Sequence, residues 1–136
     1  MQQERDAAAM KSTSALNPAR IFRAYVYSLK GITAAWQQEP AFKQEIGFFA
    51  VMLPLTLWLR LPKLDTVLIV ALMGLVLAVE LLNSGLEALV DKTSPEFHPL
   101  AGKAKDCGSA AVLIALLVFL IAWCVLALPA LLVRFG

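Results

Sequence analysis

The sequence predicts an all-α integral membrane protein, with an N-terminal amphipathic surface helix followed by three transmembrane helices. Of its 136 residues, 60% are hydrophobic and only 16% charged. Mean hydropathy is +0.72, more apolar character than a soluble domain of this size carries. Long apolar stretches recur three times, separated by short polar segments, and the segment ahead of them alternates apolar and basic residues at helical spacing. The length suits about three spans and a short extramembrane portion.

Composition also excludes some classes. A net charge of +2 is too small for a nucleic-acid-binding surface, so no nucleic-acid partner is expected. Cys107 and Cys124 stand roughly 25 Å apart along a helix rising about 1.5 Å per residue. They cannot bridge within one chain, show no metal-ligand spacing, and read as small apolar filler. Residues 1–16 lack an apolar core, do not read as a cleavable signal peptide, and are expected to form a disordered tail. Residues 17–136 then make one membrane domain.

Asn17-Pro18 reads as an N-cap followed by proline at the first helical position. From there Phe22, Tyr25, Val26, Leu29, Ile32, Thr33 and Trp36 recur at 3–4 spacing, with Arg20, Arg23, Lys30, Gln37 and Gln38 on the other side. That is the pattern of a helix lying in the membrane interface over about 18–38. Glu39-Pro40 breaks it. The first span is charge-free only over 46–59. It reaches a spanning length when extended to 41–61, with Lys43 and Arg60 snorkelling and Pro54 kinking it. A short turn leads to the second span, 66–90. A polar loop then runs over 91–106, with Pro95, Pro99 and Gly102 as breakers. The third span, 107–133, carries no charge, and Pro129 disturbs its end.

Basic residues set the orientation. Six precede the charge-free stretch of the first span (Lys43 among them) and Lys92, Lys103 and Lys105 sit in the second loop, whereas only Arg60 and Lys63 flank the first loop. The N-terminus and the second loop are therefore expected on the cytoplasmic side.

The second span holds the candidate chemistry. At about 100° per residue, and taking Glu80 as zero, Asn83 falls near −60°, Ser84 near +40°, Glu87 near −20° and Asp91 near +20°. These polar groups share one stripe roughly 100° wide, while Leu81, Leu82, Leu86 and Leu89 point elsewhere. An acid in hydrocarbon costs several kcal/mol unless paired, metal-bound or facing water, which makes such a residue a functional candidate. Carboxylates, an amide and a hydroxyl are the inventory for holding a divalent cation and moving a proton.

Phosphoryl transfer needs a metal on the phosphates, positive charge for the transferring group and a residue that orients the attacking hydroxyl. Glu39, Glu87, Asp91 and Asp106 can supply metal ligands, and Arg20, Lys103 and Lys105 can bind phosphate oxygens. Glu80 is the deeper intramembrane acid, where desolvation suits a carboxylate to general-base work. No Gly-rich phosphate loop and no protein-kinase motif is present. From this chemistry alone a kinase, a proton or cation relay, and a helix-packing network through Asn83 and Ser84 all remain open.

Three motifs in order narrow the choice. The run Glu80-Leu-Leu-Asn83-Ser84-Gly-Leu-Glu87-Ala-Leu-Val-Asp91, the run Ala104-Lys105-Asp106 leading into Gly108-Ser109-Ala-Ala-Val-Leu-Ile, and Ala34-Ala35-Trp36 followed by Glu39 and Ala41-Phe42 resemble the prokaryotic integral-membrane diacylglycerol kinase family. The likeness extends from about Arg20 to Trp123. It implies a bacterial inner-membrane lipid kinase that transfers the γ-phosphate of MgATP to diacylglycerol, giving phosphatidic acid, as a homotrimer with shared sites. It further implies that Glu80 accepts the proton of the lipid hydroxyl, with Asn83 ordering this base, and that Glu39 and Glu87 hold Mg²⁺. Arg20, Tyr27, Glu96, His98, Lys105 and Asp106 would contact nucleotide together with those two metal ligands. Ser28, Trp36, Ser109 and Trp123 would line the lipid pocket beside Glu80. The trimer agrees with a physical point: three helices cannot enclose a polar stripe, so other copies must cover it. The alternatives are undecaprenol kinase, which shares the signature, and a non-catalytic ion or proton relay subunit.

Overall fold

The computed structural model describes residues 18–94, 96 and 98–135. The expected disordered tail 1–16, the N-cap Asn17, the breaker Pro95 and Phe97 lie outside the described residues. All regular structure among the described residues is helical: α1 (Pro18–Gln38), α2 (Pro40–Trp58), α3 (Lys63–Thr93), α4 (Pro99–Leu126) and α5 (Leu128–Phe135). The chain divides into two units, Met1–Ala34 and Ala35–Gly136.

The first unit holds most of α1. Arg23 Nε donates to the Ala19 carbonyl at 3.2 Å, and the Ser28 and Thr33 hydroxyls donate to carbonyls one turn back at 3.0 and 2.8 Å. Phe22, Tyr25, Leu29 and Ile32 are all exposed. A helix with that much apolar surface in the open suits an interface rather than a soluble core.

The second unit begins with the last turn of α1. Glu39 leaves the helical region (φ −104°, ψ 108°) and Pro40 opens α2 at its first position, where a missing N–H costs nothing. Lys43 Nζ reaches back to the Gln37 carbonyl at 3.3 Å, so a residue expected to snorkel closes the junction between α1 and α2. Helix α2 continues through Pro54. Arg60 then takes a left-handed φ of 53°, turning the chain within a few residues into α3. With 31 residues, α3 is about 46 Å long at about 1.5 Å per residue, longer than the ~30 Å hydrocarbon layer.

Two expectations are corrected by α4 and α5. The polar loop was expected to reach residue 106, but α4 already starts at Pro99. His98 caps it, its Nδ1 accepting from the Leu100 N–H at 3.2 Å, and the Ala- and Lys-rich residues that follow favour a helix enough to carry Gly102. At the other end, the expected span 107–133 is divided at Ala127. Pro129 cannot donate to the carbonyl of residue 125 and its ring clashes there, so a separate short helix follows.

Two helical stretches are long and apolar enough to cross a membrane, Lys63–Thr93 and Pro99–Arg134. Helix α2 is shorter than either, 19 residues, and its first turns carry Lys43, Gln44 and Glu45, which leaves its apolar run short. Helices α3 and α4 run antiparallel, since Lys105 pairs with Asp91 while Gly108 lies against Asn83. The core gathers Phe49 from α2, Ile69, Met73 and Val76 from α3, and Phe119 and Trp123 from α4, with Phe49 and Phe119 edge to face at 5.1 Å. Val67, Leu82, Ile114, Ile121 and Val125 face outward. That apolar exterior is what lipid, not water, accommodates.

One polar bond crosses this apolar core. Thr56 is fully buried; its hydroxyl donates to the Met52 carbonyl at 2.7 Å and accepts from Trp123 Nε1 at 3.1 Å. Thr56→Val keeps the shape and leaves the indole N–H without an acceptor. It is expected to destabilise the folded protein by about 1 kcal/mol, read as a lower unfolding midpoint in detergent. At the chain's end Arg134 rests over the Trp58 ring, 4.1 Å from its centroid, and Nη1 donates to the Trp58 carbonyl at 3.4 Å. This cation–π contact seats α5 on the end of α2.

Candidate active site

The acidic stripe of α3 opens into a cleft of about 270 Å³ lined by Glu39, Pro40, Ala41, Glu80, Asn83, Glu87, Ser109 and Val112. Each wall has a local cause. The extended backbone at Glu39 and the proline after it bring that carboxylate to the start of α2. Helical spacing puts Glu80, Asn83 and Glu87 on one face of α3. The antiparallel α4 supplies Ser109 and Val112 from the opposite side.

Within the cleft the polar groups are specifically arranged. Asn83 Nδ2 donates to Glu87 Oε1 at 3.1 Å, an i,i+4 contact that fixes this carboxylate. The structure thus places the Asn83 amide on Glu87, where the sequence reading had it order Glu80. Asn83 Oδ1 is buried and accepts no hydrogen bond. Glu80 is 3% exposed and feels the negative charge of both Glu87 and Glu39. Ser84, on the same stripe, turns its hydroxyl back to the Glu80 carbonyl at 2.9 Å.

One turn beyond Glu87, Asp91 forms a 2.8 Å ion pair with Lys105. Glu87 adds its negative charge to the surroundings of the Lys105 ammonium. A cation therefore stands beside the carboxylate end of the cleft.

Not every residue singled out in the sequence lies in this cleft. Glu39, Glu80, Asn83, Glu87 and Ser109 do. Glu96, His98 and Asp106 are exposed around the start of α4, outside the lining. Trp36 is exposed near the end of α1, and Trp123 is buried in the core with its N–H on Thr56. Arg20, Tyr27 and Ser28 belong to the first unit, all exposed, with Lys30 Nζ 5.8 Å from the Tyr27 ring centroid.

One acid was missed. Glu45 reads in the sequence as the charge bracketing the first span, yet it is 8% exposed, its Oε2 buried with no hydrogen-bond partner. It also lies close enough to Glu80 for the two carboxylates to repel. Extending the span to Ala41 already placed Glu45 inside it, and that was the signal.

Residues 26–127 match the family described as prokaryotic diacylglycerol kinase. The diacylglycerol kinase of Escherichia coli (strain K12) is 47% identical over 107 residues, covering 79% of this chain and 88% of that protein. The chain belongs to the prokaryotic diacylglycerol kinase family. Further relatives agree: the diacylglycerol kinase of Pseudomonas aeruginosa is 44% identical over 104 residues (76% of this chain, 85% of that protein). That of Haemophilus influenzae is 43% identical over 97 residues (71% and 82%). The family match takes in the whole cleft and the Lys105–Asp91 pair, and leaves out Arg20 and helix α5.

Membership in a diacylglycerol kinase family implies use of ATP, and phosphoryl transfer from a nucleotide generally calls for a divalent cation on the phosphates. Among the described residues no three His, Cys, Asp or Glu side chains converge to cage an ion by themselves. Mg²⁺ does not require that: it takes one or two carboxylates together with phosphate oxygens and water. Glu39 and Glu87, hard oxygen donors on opposite walls of one cleft whose charges crowd Glu80, fit the role, and a cation would relieve the crowding.

Proposed function

We propose that this chain is an ATP-dependent diacylglycerol kinase, transferring the γ-phosphate of MgATP to the free hydroxyl of diacylglycerol and giving phosphatidic acid and ADP. The observation that carries the proposal is the convergence of Glu39, Glu80, Asn83, Glu87 and Ser109 on one cleft of a chain in this family. Glu80 takes the proton of the lipid hydroxyl as that oxygen bonds to the γ-phosphorus and the bond to the bridging oxygen of ADP breaks. Glu39 and Glu87 hold Mg²⁺, which supplies charge neutralisation on the phosphates. Asn83 keeps Glu87 in place. Lys105 stands where a phosphate can exchange for its Asp91 partner, and Arg20, Tyr27, Glu96, His98 and Asp106 bind the rest of the nucleotide. Ser109 borders the lipid headgroup, with Ser28, Trp36 and Trp123 as further parts of the lipid site.

The site belongs to the cytoplasmic face of the bacterial inner membrane, with α2 serving as the first span over 41–61 and residues 17–136 as one kinase domain. The excess of basic residues before α2 and after α3 supports that orientation. A homotrimer completes the site. A cleft of about 270 Å³ falls below the roughly 300–1,000 Å³ of pockets that enclose one small ligand, and here two substrates must meet.

The decisive assay presents purified protein with labelled ATP and either diacylglycerol or undecaprenol in mixed micelles. Labelled phosphatidic acid is expected. Phosphorylation confined to the polyprenol would move the chain to undecaprenol kinase, and phosphorylation of neither would end the kinase reading.

A further inference from the structure

We propose that Gly108 is a positioning residue for the reaction, the one place on α4 where the absence of a side chain lets the Asn83 amide aim its nitrogen at Glu87; this rests on the kinase reading of the cleft. An ideal Cβ built on Gly108 would collide with Asn83 Oδ1, and would lie 3.3 Å from Asn83 Cγ and 3.2 Å from Leu86 Cδ2. The helical glycines Gly31, Gly47, Gly74, Gly85 and Gly102 would meet nothing within 4 Å. Crowding is thus specific to position 108, and its main target is one oxygen.

The chemistry of the amide explains why that oxygen sits there. A carboxylate only accepts, so the face of Asn83 toward Glu87 must be its NH₂ group. That bond is 3.1 Å. The oxygen is then left pointing at α4, buried and without a conventional donor. It occupies the space that a side chain at position 108 would need. Leu86 Cδ2 also borders the space that such a side chain would enter. A methyl at 108 would drive the amide to another rotamer, and Glu87 would lose the group that fixes it.

Close helix packing alone would also favour a glycine, and a mutant cycle separates the two roles. Gly108→Ala, Asn83→Ala and the double variant are purified as full-length protein in detergent, and their thermal midpoints are compared. Gly108→Ala is expected to lower the midpoint in the native background and to have little effect once Asn83 is alanine. In kinetic assays Gly108→Ala is expected to raise the Mg²⁺ concentration for half-maximal rate by roughly tenfold, with KM for diacylglycerol changed less than twofold. An equal drop in midpoint in both backgrounds, or unchanged Mg²⁺ dependence in a folded Gly108→Ala protein, overturns the proposal. A native chain that phosphorylates no lipid removes the kinase reading instead, while the thermal cycle still decides whether Gly108 acts through Asn83.

Discussion

Glu80→Gln is expected to abolish lipid phosphorylation while the protein still folds and binds nucleotide. Glutamine keeps the length and hydrogen-bonding shape of the side chain but cannot take up a proton. General-base catalysis contributes about 10²–10⁴-fold, so kcat should fall by at least about 100-fold. Folding should not suffer. Glu80 is 3% exposed and crowded by the charges of Glu87 and Glu39, so a neutral side chain removes repulsion from a desolvated site. The thermal midpoint of the variant should equal or exceed that of the native protein. Nucleotide binding, measured with a fluorescent ATP analogue, should persist. A Glu80→Gln protein turning over at near the native rate would remove Glu80 from the role of base.

For Glu87→Gln the expected failure is in metal-dependent binding. The amide oxygen of glutamine can still accept from Asn83 Nδ2, so the 3.1 Å contact survives and the substitution isolates the loss of charge. With one of two carboxylates neutral, Mg²⁺ has a weaker hold beside the phosphates. Titrating Mg²⁺ against activity at fixed ATP should shift the midpoint upward by roughly tenfold or more, with activity partly recovered at high metal. Unchanged Mg²⁺ dependence would show that Glu87 does not ligate. The contrast between the variants is informative in itself: one fails at every metal concentration, the other is rescued by metal.

Much of this architecture was legible because lipid enforces simple rules on a chain. Apolar runs, proline breaks and the 3.6-residue period placed α1 and α3 within a few residues, and the same period aligned Glu80, Asn83 and Glu87 on one face. The misreadings share a cause, which is that tertiary partners are invisible to local pattern. Nothing around His98 announces that its ring nitrogen will cap α4, so the helical turns from Pro99 to Asp106 read as loop. Glu45 sits next to Ile46 at the edge of an apolar run, and only the packed structure shows its carboxylate turned inward. Other contacts simply lie beyond local pattern: Asn83 stands within helical reach of both Glu80 and Glu87, and only the fold shows its amide on Glu87. Nor does the sequence show that Thr56, on a different helix, meets the Trp123 indole nitrogen.

That indole–hydroxyl bond has a mechanical consequence. Slipping α2 against α4 by a single helical turn, about 5.4 Å, would strand a donor in a medium that offers no replacement acceptor. The bond therefore acts as a key that admits one register only. With the guanidinium of Arg134 laid over Trp58 a few residues further on, the end of the bundle remote from the acids is locked.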